Sequence, residues 1–226
     1  MANFKDSPHF NTHNDFYTPI TAWKQIKPFI EKRGFKKVFE CFLLNSNEQS
    51  KYNLIELGFS VIGNRNVDFL NEDTYKDFID PLTYRKFNKE DYDIIISNPP
   101  FEKIKSYKQR KTNLKYRCIQ KLLENDKPFI IILNSTNIYQ KWFKELVEGK
   151  DIKFIFPSKK INYDKYKEGG KEKIISRKEY LKSINKTVKK LTPEEKEIYL
   201  NHEELKGSSF NSVYICYKVL EKNEFI

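Results

Sequence analysis

The chain has 226 residues, of which 38% are hydrophobic and 15% aromatic, with 18 Phe and 14 Tyr against 1 Met; this predicts one globular domain over residues 1–226 with a core of rings, Ile and Leu, and excludes a disordered chain or two full domains. The formal net charge of +11 points to a polyanionic partner, nucleic acid before acidic protein, although a source biased toward Lys, Asn and Ile would leave the same surplus. Three scattered cysteines, Cys41, Cys118 and Cys216, indicate neither a disulfide framework nor a zinc site and predict a reducing, cytoplasmic setting, and the absence of any long apolar run predicts no signal peptide and no membrane partner.

The first dozen residues, with His9 and His13, read as an irregular arm whose histidines are solvated or packed rather than metal ligands. Thr18 then stands as a helix cap and Pro19 as a first helical residue, ahead of Ile20, Trp23, Ile26 and Ile30 at helical spacing, with Pro28 ending or bending the helix. Lys36 to Phe42 reads as the first sheet strand. Asn47 to Leu57 follows with a helical pattern in Tyr52, Ile55 and Glu56, closed by Gly58. Phe59 to Gly63 is the second strand; Val67-Asp68-Phe69-Leu70 comes next, with Asp68 readable as a helix cap, and the polar stretch 71–90 turns at Asp80-Pro81.

Tyr92 to Ser97 carries the continuous β-branched run Ile94-Ile95-Ile96, as expected of a parallel strand buried on both faces. Asn98-Pro99-Pro100-Phe101 follows directly, and two prolines forbid further strand pairing or entry into a helix. The chain must turn rigidly at the carboxyl edge of the sheet, where α/β proteins place ligands. A carbonyl pair at such a corner has a definite use. The exocyclic amine of a nucleobase is a poor nucleophile because its lone pair is delocalised into the ring. The Asn98 side-chain carbonyl and the Pro99 main-chain carbonyl together can accept both its hydrogens and free that lone pair, and Phe101 offers a face on which an extruded base stacks. A proline-stiffened loop with a buried Phe is the structural alternative.

Glu102 to Lys121 contains eight Lys and Arg against one acid, backed by the helical stripe Leu114, Cys118, Ile119, Leu122 and Leu123. Pro128 to Leu133 and Asp151 to Phe156 are further strands, separated by a helix with Ile138, Trp142, Phe143 and Leu146 on one face. Strands alternating with helices predict a doubly wound, mostly parallel sheet. Residues 158–210 interrupt the alternation as a basic insertion, a candidate substrate-recognition element. Its first part, Ser158 to Lys190, holds twelve Lys and Arg against four Asp and Glu, with Tyr163, Tyr166 and Tyr180 interleaved as candidate stacking rings. Thr192-Pro193-Glu194-Glu195 opens a helix with a capping box, and Val213, Ile215, Tyr217 and Val219 alternate as one side of a terminal antiparallel strand.

The Asn-Pro-Pro-Phe corner after Asp93-Ile94-Ile95-Ile96-Ser97 resembles the catalytic motif of the S-adenosylmethionine-dependent N6-adenine methyltransferases. The resemblance implies a Rossmann-like fold with a terminal antiparallel strand, transfer of a methyl group from S-adenosylmethionine to adenine in DNA ahead of RNA, and a catalytic set of Asn98, Pro99, Pro100 and Phe101. It also implies a cofactor set. Tyr17, Thr18 and Pro19 would lie along the methionine part; Glu40 and Phe42 match the acid and Phe that open the family's glycine-rich loop; Asn45 stands where a glycine is usual; Asp68 would accept from the cofactor's adenine amino group, with Phe69 beside the ring. Two departures are plain: no glycine occurs between Gly34 and Gly58, and Gly63-Asn64-Arg65-Asn66 offers amides where an acid usually holds the ribose. They support an alternative, a catalytically inactive member of the fold that binds nucleic acid and supports an active protein partner.

Overall fold

The computed structural model describes residues 16–42, 49–63, 88–99, 114–165, 174–202 and 211–226. Asn45, Asp68, Phe69, Pro100, Phe101 and the loop Leu43 to Ser46 lie outside the described residues. A seven-stranded sheet has the order β3-β2-β4-β5-β8-β6-β9, in which β2 is Lys37–Phe39, β3 Ser60–Ile62, β4 Ile94–Ser97, β5 Phe129–Asn134, β6 Ile152–Phe156, β8 Ser212–Tyr217 and β9 Glu224–Phe225. Strands β3, β2, β4 and β5 run parallel, β8 is antiparallel to both β5 and β6, and β6 pairs in parallel with β9. The fold is therefore α/β, Rossmann-like, and mostly parallel with one antiparallel strand. A separate two-stranded ribbon joins β1, Phe16–Tyr17, to β7, Asp164–Lys165.

Helices α1, Ile20–Lys32, and α2, Gln49–Glu56, cover one face; α3, Leu114–Asn125, and α4, Lys141–Val147, cover the other. Successive strand residues point to opposite faces, so each strand feeds two cores. Ile94, Ile96, Ile130 and Ile132 pack with Trp23, Ile26 and Ile30 of α1, whereas Ile95, Phe129, Ile131 and Leu133 pack with Ile119 and Leu122 of α3 and Phe143 of α4. This double burial explains why β4 and β5 read as unbroken apolar runs. Asp93, just before β4, accepts the Lys36 and Lys37 backbone N–H groups at 2.8 Å each. It thereby helps set the register that places Val38 opposite Ile94.

Several expectations are corrected. Thr18 is not the cap of α1: Pro19 occupies the capping position in extended conformation, its carbonyl accepts the Ala22 N–H at 3.0 Å, and no side chain caps the helix. Of the two roles expected of Pro28, ending the helix is excluded, since α1 runs through it to Lys32. In α2 the buried residues are Asn53 and Leu54, and Tyr52 and Ile55 are exposed. Gly58 closes that helix as expected, at φ +92 with its N–H donating to the Ile55 carbonyl at 2.8 Å.

Strand β8 is buried on both faces because it lies inside the sheet and not at its rim. Val213, Ile215 and Tyr217 share one core, but Val219 joins the opposite one, since Lys218 between them adopts φ +56 and turns the chain over. Between β6 and β8 lie α5, Arg177–Ser183, and α6, Pro193–Asn201. Each starts with a capping box, Ser176 with Glu179 and Thr192 with Glu195. The Arg177 guanidinium ties them together, donating to the Leu200 and His202 carbonyls at 3.0 and 2.9 Å. No helix among the described residues is long and apolar enough to cross a membrane.

Candidate functional site

The chain passes from β2 outward to β3 on one side, and β4 then lies on the other side of β2. That reversal of direction between β2 and β4 is a topological switch point, and the crevice outside the carboxyl ends of the two strands is where such sheets bind ligands. Glu40 follows β2 there, Gly63 follows β3, and Asn98-Pro99 follows β4.

Glu40 is only 2% exposed. Its Oε2 accepts the Ser50 hydroxyl; its Oε1 accepts the Ser97 hydroxyl and, at 3.3 Å, the Phe42 backbone N–H. Burial pushes this carboxyl up from 4.5 to about 7, against the opposing pull of the donors on Ser50, Ser97 and Phe42. The Cys41 thiol is raised by its own burial and by the neighbouring Glu40. Ser50 also accepts the Trp23 indole N–H at 3.2 Å. Three residues on, the Asn53 amide donates to the Thr18 carbonyl at 2.9 Å and accepts from Gln49 at 2.8 Å. The first two turns of α2 thus hold both the Thr18 segment and the Glu40 carboxyl.

Two polar atoms at this edge are buried with no hydrogen-bond partner among the described residues: the Thr18 hydroxyl oxygen and Asn98 Oδ1. An unsatisfied buried acceptor costs about 1–3 kcal/mol, and native structures keep few of them. Gly63 completes the edge. At φ +114, a β-carbon there would lie 2.3 Å from the Glu40 carbonyl oxygen. Gly63→Ala is expected to destabilise the protein by on the order of 3 kcal/mol, from left-handed strain plus a backbone clash, measured as a shift of the urea midpoint. A midpoint equal to wild type would show that the edge is looser than described.

Of the residues expected at the site, Thr18, Pro19, Glu40, Phe42, Asn98 and Pro99 fall along this edge, and Tyr17 pairs in the ribbon with Asp164 of the insertion. Ser50 and Asn53 carry no sequence signal, because their partners are brought to them only by the fold. Ser97 does carry one: a small polar residue ends an otherwise all-Ile buried strand. Among the insertion's rings, Tyr163 is buried with its hydroxyl 2.8 Å from Ser212 Oγ, and Tyr180 packs on His202 with centroids 4.8 Å apart. Tyr163 is therefore spent on the fold and is not a stacking ring. Lys178, Lys182, Lys189 and Lys190 of the insertion are exposed. No family model matches the chain, and a search of curated proteins returns no match to it.

Proposed function

We propose that the chain is an S-adenosylmethionine-dependent N6-adenine methyltransferase acting on nucleic acid, DNA ahead of RNA. The observation that carries this reading is Asn98 Oδ1 at the switch point, buried without a partner among the described residues and followed directly by Pro99. A carbonyl held without a partner in a low-dielectric crevice is preorganised for a donor that arrives with the substrate. An adenine amine brings two N–H groups. Asn98 Oδ1 would accept one and the Pro99 carbonyl the other, so that the nitrogen lone pair leaves conjugation and is free to attack an activated methyl. The ring of Pro99 fixes its own φ and so limits the backbone freedom next to these acceptors.

The Thr18 hydroxyl, buried without a partner among the described residues on a segment fastened to α2 through Asn53, would hold the polar end of S-adenosylmethionine, and that cofactor supplies an activated methyl on sulfur when bound. A calorimetric titration with S-adenosylmethionine is expected to show one site, and incubation with an adenine-containing duplex to yield N6-methyladenine on digestion. The glycine-free stretch between Gly34 and Gly58 favours a second reading, a nucleic-acid-binding subunit that assists an active partner. Absence of binding heat at millimolar cofactor would decide for it.

The exposed lysines of the insertion are placed to neutralise phosphates. Reversing Lys178, Lys182, Lys189 and Lys190 to Glu is expected to weaken duplex binding and lower its salt slope by about 0.9 for each phosphate no longer neutralised. A slope unchanged across a salt titration would return these lysines to the solvated surface.

A further inference from the structure

Glu40 does not have the surroundings of a cofactor ligand. One of its oxygens holds Ser50, in the first turn of α2; the other holds Ser97, the last residue of β4, together with the Phe42 N–H. Ser97 is fully buried and is bonded through the main chain to Asn98. A carboxylate is the only short side chain that can accept on two oxygens at once and so join two hydroxyls from separate elements. Hydrogen bonds to an ionised acceptor are also shorter and stronger than neutral ones.

We propose that Glu40 is a positioning residue: its carboxyl bridges Ser50 and Ser97, and the bridge fixes where the Asn98-Pro99 corner stands relative to α2 and the Thr18 segment that α2 holds. The link runs without interruption from the Thr18 carbonyl through Asn53 and α2 to Ser50, Glu40, Ser97 and the corner. The unpartnered oxygens at its two ends, on Thr18 and Asn98, are thereby held in one frame. The bridge itself is independent of the reaction, and its effect on turnover rests on the methyltransferase reading.

The test uses the full chain carrying Ser50→Ala or Ser97→Ala. Alanine is a good helix former, and Ser50 is half-buried, so the first variant is expected to keep α2, checked by the unchanged dispersion of its remaining backbone signals. In nitrogen-15 spectra, the Asn98 side-chain amide signal, assigned as the one that disappears in Asn98→Ala, is expected to shift in Ser50→Ala, because Ser50 reaches the corner through Glu40. In turnover, both variants are expected to lower kcat by on the order of 10²-fold, as misplacement of a reacting group does, while the calorimetric Kd for S-adenosylmethionine stays within about threefold. An unmoved Asn98 signal in Ser50→Ala would overturn the bridge. So would the opposite split, a weakened Kd with kcat retained at saturating cofactor, since that marks Glu40 and its serines as cofactor ligands. If the wild-type chain transfers no methyl group, the methyltransferase reading fails, and the amide signal alone decides the bridge.

Discussion

Asn98→Ala is expected to lower the single-turnover rate of methyl transfer by on the order of 10²–10³, the cost of removing one preorganised acceptor from a reacting centre. The stability of the variant should move in the other direction or not at all. Asn98 Oδ1 is buried without a partner among the described residues, so its removal breaks no hydrogen bond of that oxygen with them and relieves a desolvated acceptor. A large rate loss with an unchanged urea midpoint and an unchanged cofactor Kd would separate a catalytic role from a structural one. A wild-type rate in the variant would remove Asn98 from the mechanism. A clear fall in stability on this change would mean that the side chain is spent on the fold.

The second large effect concerns pH. Glu40 titrates at about 7 in the folded protein against an ordinary 4.5, with desolvation as the main cause. The folded state therefore holds a proton that the unfolded state has already released between these two values. By linkage, the contribution of this group to stability is fully present below the unfolded value and is lost as pH rises toward the folded one. The loss is on the order of 3 kcal/mol for a shift of this size. The substitution Glu40→Gln reproduces the neutral form, with one acceptor and one donor for the two serine hydroxyls, and its amide does not titrate. Urea midpoints at about pH 5 and pH 8 are expected to differ markedly in wild type and much less in Glu40→Gln. Equal differences in the two proteins would show that Glu40 stays ionised throughout and that its donors outweigh its burial.

The sheet is legible in the sequence because double burial writes itself into composition: Ile94 to Ile96 and Phe129 to Leu133 admit little besides parallel strands covered on both sides. Punctuation is legible for a similar reason, Gly58 and the Thr192-Pro193-Glu194-Glu195 start being demanded by local geometry. The capping box at Ser176 and Glu179 carries the same signal, but the charge of its surroundings hides it. Misreadings arise where tertiary partners decide. Thr18 has the chemistry of a cap, yet Pro19 takes the capping position and the Thr18 hydroxyl is left unpartnered. Tyr163 has the chemistry of a stacking ring, yet it is closed off by Ser212. At the site, the corner after β4 is visible in two prolines. Ser97 stands out at the end of an all-Ile strand, but its pairing with Glu40, and that of Ser50, is not visible, because the two serines lie fifty-seven and ten residues downstream of Glu40 and meet only once α2 and β4 have docked.

Strands β6 and β8 are antiparallel neighbours, with Ile155 opposite Tyr214, and an antiparallel pair can be closed by as few as two residues. Apart from Ile161 and Tyr163, which are buried in the core, the stretch between Phe156 and Ser212 is therefore not required for the closure of the β6-β8 pair. Because the loop-closure cost grows only slowly with length, the part of this segment beyond Tyr163 can be longer or shorter with little entropic penalty to the scaffold. One strand of this segment, Asp164–Lys165, reaches back to Phe16–Tyr17, just ahead of the Thr18 segment. A graft at this junction that retains that short ribbon would be a modular means of re-addressing the sheet to a new polymer without touching the residues of the switch point.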